Sequence, residues 1–192
     1  MGVVEFGKKY YTIKQKNKNI KGVFSMYKAM DIAYWFLYKN YAKQREKVAV
    51  NDEFDVYESL THLKLQKLLY NAQGCSLAIN NEPLFEEPLE AWIHGPVVSN
   101  VYEAFHVFRG EPIMIPVSEE SDKAVEKIEA DTKTRELLEY VYDEFAIYTA
   151  WQLREMSHDK NGPWYKTKRK GEIIDNEAIK EYFKKEVLNE EE

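Results

Sequence analysis

This sequence predicts a mainly α-helical, compact single-domain fold of about six helices, with one short β element between the second and third helices. Apolar side chains recur at three- and four-residue steps along most of the chain, which is the spacing of one face of an α-helix. Only the segment around Leu84–Ile93 alternates as a strand does, and Pro83, Pro88 and Pro96 limit any strand there to a short edge piece. The predominance of helical patterns favours the mainly α class.

The second helix is the best defined one, and we predict it from about His62 to about Asn80. Thr61 suits the N-cap position, where its hydroxyl accepts a free backbone N–H of the first turn. Asn81 and Pro83 end the helical pattern. The apolar face of this helix comprises Leu65, Leu68, Leu69, Ala72, Cys75 and Ile79.

A second face of the same helix is more polar and includes Gln66, Tyr70 and Gln73. Such a face can be a solvated flank, a surface for a partner, or a buried face whose amides and phenol are hydrogen-bonded inside the domain. Because leucines flank these side chains along the helix, burial is the interpretation that we favour.

The first helix is expected to begin near Ser25 and to give way to a charged connector at Lys43–Lys47. It is so rich in apolar residues that we expect it to be central to the core. Its predicted face comprises Met26, Met30, Ala33, Tyr34, Leu37 and Tyr41, widened by Trp35, Phe36 and Tyr38.

The third helix is expected to start at Pro96, because proline suits the first helical position, and to end near Arg109. Residues 111–130 form a transitional segment with a charged and only weakly helical run. Helical spacing returns at Thr132.

Capping residues predict the last two helices. Thr149 and Gln152 have the spacing of a capping box, which starts a helix at Ala150 that ends near His158. Asp175 suits the N-cap of the final helix.

Charge divides the chain into a basic arm and an acidic body. Residues 1–47 carry 11 Lys and Arg against three acidic residues, and residues 48–192 carry 16 against 30. We predict a basic N-terminal arm at 1–24 and one helical domain at 25–192. The arm is suited to nucleic acid, to an acidic partner or to its own domain, although the domain-wide basicity of a typical DNA binder is absent.

The sequence contains none of the common catalytic, cofactor or metal motifs: no Walker A loop, dinucleotide-binding glycine pattern, nucleophile elbow or zinc-protease His pair. His94, His106 and His158 lie on different elements at no recognised ligand spacing. Cys75 lies within an apolar helix face, as a small buried residue does. We therefore expect a binding protein rather than an enzyme, with no catalytic residue, cofactor or metal.

No apolar run approaches the roughly 18 residues of a membrane span, and the N-terminus lacks the pattern of a secretory signal. A cytoplasmic location without a membrane partner is expected.

Four segments, taken in order and spacing, resemble the SocA-like antitoxin family, also called the Panacea domain and found under the label phage-associated protein. The resemblance covers about Met26 to Val187. The segments are KLQKLLYNAQG (64–74), PLFEEPLEAWIHGPVVSNVYEAF (83–105), TAWQLREMSHDKNGPW (149–164) and EAIKEYF (177–183).

The resemblance implies an antitoxin-like protein that neutralises a toxin protein encoded by a neighbouring gene. It also implies that the Gly95-Pro96 turn, Trp92 and Trp164 lie near the polar face of the second helix. The acidic body suits a basic toxin through charge complementarity. A nucleic-acid-associated regulator that uses the basic arm is the alternative function, and the oligomeric state stays open.

Residues that match the family's segments serve either the scaffold or the contact with a partner, since amphipathic aromatic residues occur in cores and in interfaces alike. The candidates for partner contact are Gln66, Lys67, Tyr70, Gln73, Trp92, His94, His158 and Trp164.

Overall fold

The computed structural model describes residues 26–50, 58–114, 118–167 and 170–188. These ranges form eight α-helices and a two-stranded sheet after the second helix, so the predicted fold class is confirmed. The predicted arm at 1–24 lies outside the described residues, and the division into arm and domain stays a prediction. The elements are α1 (Ala29–Val50), α2 (His62–Asn80), β1 (Glu90–Trp92), β2 (Gly95–Val97), α3 (Ser99–Phe105), α4 (Glu119–Ala130), α5 (Thr132–Phe145), α6 (Ala150–Ser157), α7 (Pro163–Lys166) and α8 (Asn176–Tyr182), with a 3-10 turn at His106–Phe108 and a π turn at Phe183–Val187.

Helix α2 lies at the centre of the domain, and every residue from Lys64 to Ala78 is buried. Helices α1, α5, α6 and α8 and strand β2 pack around it. The Thr61 hydroxyl accepts the Lys64 N–H at 3.3 Å, and Asn81 ends the helix in the left-handed conformation at φ 58°. The predicted limits of α2 are confirmed, because both ends carry caps that satisfy free backbone groups.

Helix α1 begins at Ala29, after its predicted start near Ser25, and it continues through the predicted connector at Lys43–Lys47. Ala33, Trp35, Phe36 and Leu37 of the predicted face are buried. Tyr41 and Met26, which precedes the helix, were also expected on the buried face and are exposed. Apolar side chains occur on several sides of this helix, so the sequence alone does not determine which side is buried. The packing partner of the helix determines it. That partner is α4, where Trp35 Nε1 donates to Glu129 Oε1 at 2.7 Å.

Helix α4 occupies the segment that was predicted as transitional. Ser118 and Ser121 form a reciprocal capping box with N···O distances of 3.1 and 3.0 Å. A serine in the third helical position, where Glu or Gln is usual, is why the sequence pattern missed it. The capping box predicted at Thr149 and Gln152 is confirmed, as is the cap of α8 by Asp175. Helix α4 and the four-residue α7 bring the described helices to eight.

The two strands form a hairpin in which Ala91 pairs with Pro96. Gly95 and Pro96 therefore lie in β2 instead of forming the predicted turn, which is made by Ile93 and His94. Pro96 does not open a helix either, since α3 begins at Ser99, and both findings correct the prediction. The other side of β1 receives the segment before α8: the Ala91 N–H donates to Glu172 O, and the Gly171 N–H donates to Ala91 O, both at 2.8 Å. Backbone groups on both sides of β1 are thus satisfied although the sheet has only two strands.

The core around α2 is rich in large side chains, and Cys75 is buried in it as predicted. Within the described ranges, no helix combines the length and apolarity needed to cross a membrane. The largest fully buried aromatic residues are Trp35, Tyr27, Tyr140, Tyr142, Phe36, Phe85 and Phe183.

Candidate functional site

Two glutamines of α2 hold the chain on either side of the hairpin, and we call Gln66 and Gln73 the glutamine clamps. Gln66 Oε1 accepts the Val98 N–H at 2.8 Å, and its Nε2 donates to Val98 O at 3.2 Å. Gln73 Oε1 accepts the N–H groups of Leu84 (2.8 Å) and Phe85 (3.3 Å), and its Nε2 donates to Phe85 O at 3.3 Å. A side-chain amide offers a donor and an acceptor as a peptide group does. Each clamp therefore supplies the hydrogen-bond donor and acceptor that the backbone of a neighbouring strand would supply.

Lys67 joins the hairpin turn to α2. Its side chain is fully buried, and Nζ donates to Pro96 O at 2.8 Å. Burial, with a smaller contribution from Arg154, lowers the pKa of Lys67 to about 7. Gly95 permits this approach: its φ is 100°, and a Cβ there would lie 2.6 Å from Lys67 Nζ and 2.5 Å from Ser157 Oγ. Helices α2 and α6 thus meet the hairpin turn at a point that only glycine fits.

The candidate aromatic residues brace the hairpin from its other side. Trp164 Nε1 donates to Trp92 O at 2.8 Å, and the His158 ring lies against the Trp164 ring with 3.7 Å between centroids. His158 Nδ1 lies 2.7 Å from Arg154 O, and its Nε2 lies 3.3 Å from Ile93 O. The hairpin is therefore fixed to α6 and α7 as well as to α2.

Exposed side chains project around the turn of this braced hairpin. Ile93 exposes 63% of its surface and Trp151 exposes 59%. The Arg154 guanidinium lies over the Trp151 ring at 4.6 Å, and Arg154 Nε donates to His94 Nδ1 at 3.4 Å. We call Ile93, His94, Trp151 and Arg154 the hairpin surface. Aromatic and arginine side chains of this kind are enriched where proteins contact one another.

The eight candidate residues fall into two groups in the structure. Gln66, Lys67, Tyr70 and Gln73 are at most 3% exposed. The burial that the sequence analysis favoured is therefore observed, and contact of these four residues with a partner stays a prediction. The other four lie together at the hairpin: Trp92, His158 and Trp164 are half-buried, and His94 is exposed.

Three residues of the hairpin surface were not among the candidates. Ile93 ends the segment that was predicted to alternate as a strand, and it directly follows β1 in the structure. Trp151 and Arg154 lie on α6, three residues apart, which places them on one face of the helix. That spacing was the available signal, but only the fold shows that the hairpin turn lies beside it.

Tyr70 differs from the clamps because its hydroxyl is buried and finds no hydrogen-bond partner among the described residues. Its ring packs edge-on against Phe183, with 5.2 Å between centroids. Burial raises the pKa of Tyr70 well above its usual range, so the hydroxyl is neutral and keeps its proton. A buried polar group without a partner is uncommon in folded proteins and marks this position for closer attention.

Two kinds of reactive group were considered for this protein, a metal site and a nucleophilic thiol. Across the described ranges, no three His, Cys, Asp or Glu side chains come together as metal ligands. His106, the remaining histidine considered for a metal, lies apart with Nδ1 2.7 Å from Glu103 O. Burial raises the pKa of the Cys75 thiol, which disfavours the nucleophilic thiolate.

Comparison with known proteins identifies a family for the segment that contains these residues. The family model for the antitoxin SocA-like, Panacea domain matches residues 65–165, a range that begins before the first clamp and includes Trp164. Antitoxin SocA of Caulobacter vibrioides (strain NA1000 / CB15N) is 33% identical over 110 residues, which are 55% of this chain and 58% of that protein. The chain thus spans little more than half the length of this relative. No solved structure matches the chain.

Proposed function

Starting from the premise that this chain belongs to the antitoxin SocA-like, Panacea domain family, we propose that it is a non-enzymatic antitoxin that binds and silences a toxin protein. The matched relative is named as an antitoxin. The observation that carries the proposal for this chain is the hairpin surface, where Ile93 is exposed on a turn that is held from three sides and Trp151 is exposed on the adjacent helix α6.

The way in which the hairpin is held favours a role in binding. Side chains that are ordered before association lose less conformational entropy when a partner arrives. Lys67 and Trp164 fix the backbone of the hairpin, and Arg154 lies over the Trp151 ring. An exposed but preorganised group of apolar, aromatic and cationic side chains therefore supports protein contact better than a catalytic role.

The charge of the body indicates the chemistry of the partner. Residues 48–192 carry 30 acidic against 16 basic side chains. A negative surface attracts a positive protein, increases the rate of encounter and disfavours other acidic proteins. We therefore propose a basic toxin, encoded by a neighbouring gene, as the partner.

The experiment is co-expression of each adjacent gene with and without this chain, followed by counts of viable cells. A neighbouring gene should be toxic alone and harmless with the wild-type chain. Ile93→Asp and Trp151→Ala should restore toxicity, because each removes a central apolar contact from the hairpin surface. Met114→Asp is the matched control, since Met114 is 73% exposed but lies beside α1, away from the hairpin.

Two results would contradict the proposal. One is that no neighbouring gene is both toxic alone and neutralised by the wild-type chain. The other is tight binding to duplex DNA that weakens steeply with salt, as phosphate contacts require, in the absence of any toxic neighbour. That second result would favour the nucleic-acid-associated function through Lys8–Lys21 and Lys166–Lys170.

A further inference from the structure

A cavity of about 460 Å³ opens on the side of α6 that faces away from the hairpin surface. Helix α6 supplies Leu153 and Met156 to its wall, α2 supplies Tyr70, and the π turn supplies Phe183 and Val187. Its volume lies within the range of sites that hold small molecules or single large side chains. The α6 residues Trp151 and Arg154 belong to the hairpin surface. A protein bound to that surface therefore has to extend across α6 alone to contact the cavity.

The Tyr70 ring lines this cavity, and its hydroxyl is the polar group that lacks a partner among the described residues. The hydroxyl exposes less than 1 Å² to solvent, so it lies behind the surface of the cavity wall. Tyr182 and Asp159, which also line the cavity, are close enough to act on the pKa of Tyr70. The unused hydrogen-bonding capacity of Tyr70 thus lies next to this cavity.

The polar groups of the cavity wall have one sign of charge. Glu155, Asp159 and Glu186 line it, and none of the described lining residues is Lys, Arg or His. Asp159 is held in place by the Tyr182 hydroxyl at 3.0 Å and by the Asn161 N–H at 2.9 Å. A ligand that fits must therefore combine an apolar stem with a positive tip.

Glu155 and Glu186 have basic neighbours that do not line the cavity. Arg154 pairs with Glu155, and Lys185 pairs with Glu186 at 3.4 Å. Glu155 and Lys185 are largely exposed, whereas Arg154 is 19% exposed. Lys185 is the neighbour that an incoming cation replaces at little cost, since ion pairs with a solvent-exposed lysine contribute little stability.

We propose that this cavity receives a lysine or arginine side chain of the partner toxin, with the aliphatic stem against Leu153, Phe183 and Val187 and the cationic group among the carboxylates. The proposal rests on the proposed antitoxin function and assigns to it a second contact beside the hairpin surface. The cationic group donates hydrogen bonds to the carboxylates, and the Tyr70 oxygen accepts one more when the side chains in front of it move aside. A protein side chain is favoured over a free amine because α6 joins the cavity to the hairpin surface and the whole body is acidic.

The probe is the blocked dipeptide N-acetyl-leucyl-arginine amide, titrated into the full chain and followed by NMR of the Leu153, Met156 and Val187 methyl groups. The control probe replaces arginine with citrulline, which keeps the shape and removes the charge. The arginine peptide should bind with millimolar affinity, and the citrulline peptide should bind at least tenfold more weakly. Equal binding of both peptides, or no shift of these methyl signals, would overturn the proposal.

Two variants test the contacts with the same peptide. Tyr70→Phe removes only the hydroxyl, so it should weaken binding about tenfold while the melting temperature stays equal or rises. The pair Glu155→Gln with Glu186→Gln should weaken binding by a similar factor or more. Tyr142→Phe and Glu126→Gln are the controls, since the Tyr142 hydroxyl is bonded to Asn40 instead and Glu126 is exposed on α4. Unchanged peptide affinity in both test variants would refute the proposed contacts.

Co-expression separates this inference from the proposed function. If the wild-type chain and the Tyr70→Phe and glutamate variants all neutralise the neighbouring toxin equally, the cavity contact is wrong and the antitoxin function stands. If no neighbouring toxin is neutralised while the peptide still binds, the function is wrong and the cavity keeps its ligand chemistry. Tighter binding of free spermine than of the arginine peptide would make the cavity a small-cation site and would also overturn the proposal.

Discussion

Replacing Lys67 with methionine should remove a pH dependence from the stability of this domain. In the folded state burial lowers the pKa of Lys67 to about 7, whereas its usual value is 10.5. Between these two values the unfolded state binds more protons than the folded state, so the free energy of unfolding rises with pH. Below pH 7 the lysine is charged in both states, and the folded state carries the full cost of the buried charge.

The size of the effect follows from the same two values. One proton changes the free energy of unfolding by at most about 1.4 kcal/mol per pH unit. Since the folded group still titrates near pH 7, the wild-type domain should gain on the order of 2–3 kcal/mol from Lys67 between about pH 6 and pH 9. Methionine has a similar volume and no charge, and it forfeits only the hydrogen bond to Pro96 O, worth about 0.5–1.5 kcal/mol at any pH.

The assay is urea denaturation of both proteins, followed by circular dichroism at several pH values and extrapolated to water. The quantity that matters is the difference between wild type and Lys67→Met, because shared contributions such as that of the Cys75 thiol cancel. Lys166→Met is the matched control: Lys166 is exposed, and its replacement should leave the pH dependence as it is in the wild type. Parallel curves for wild type and Lys67→Met would show that Lys67 does not carry a buried charge at low pH.

Two further predictions concern the scaffold. Gln73→Ala leaves the buried N–H of Leu84 without an acceptor and should lower the free energy of unfolding by about 2–4 kcal/mol in urea denaturation. The control Gln44→Ala removes a single half-buried hydrogen bond and should lower the free energy of unfolding by less than about 1.5 kcal/mol. An equal loss in both variants would contradict the role of Gln73 as a clamp. Gly95→Ala should lower the melting temperature much more than Gly171→Ala. Both glycines have positive φ, but only at Gly95 would an added Cβ have close neighbours. Similar decreases in melting temperature would show that the space beside Gly95 is not restrictive.

The sequence was sufficient for features that depend on local chemistry. The limits of α2 follow from the Thr61 cap and from the asparagine and proline that end it, and the start of α6 follows from the Thr149–Gln152 box. The hairpin is placed near its observed position because prolines exclude a long helix there. Each of these features is settled by residues within a few positions of one another.

Features that depend on distant contacts could not be predicted in the same way. Lysine is almost never fully buried, and only the folded structure shows that Pro96 O accepts a hydrogen bond from Lys67 Nζ. The contact of β1 with Glu172 joins segments about 80 residues apart, and no sequence pattern in either segment predicts it. The hairpin surface was missed for the same reason, since Arg154 of α6 contacts His94 only when the hairpin lies beside α6.

The glutamine clamps have a consequence for how this scaffold can change its partner. Among the described residues, both clamps hydrogen-bond to backbone atoms, those of Val98 and of Leu84 and Phe85, and Lys67 likewise hydrogen-bonds to the carbonyl oxygen of Pro96. The backbone path from residue 84 to residue 98 therefore depends little on which side chains point outwards from it. Ile93 and His94 are free of these bonds, so they can be exchanged for residues that suit a different protein while the turn that presents them keeps its shape.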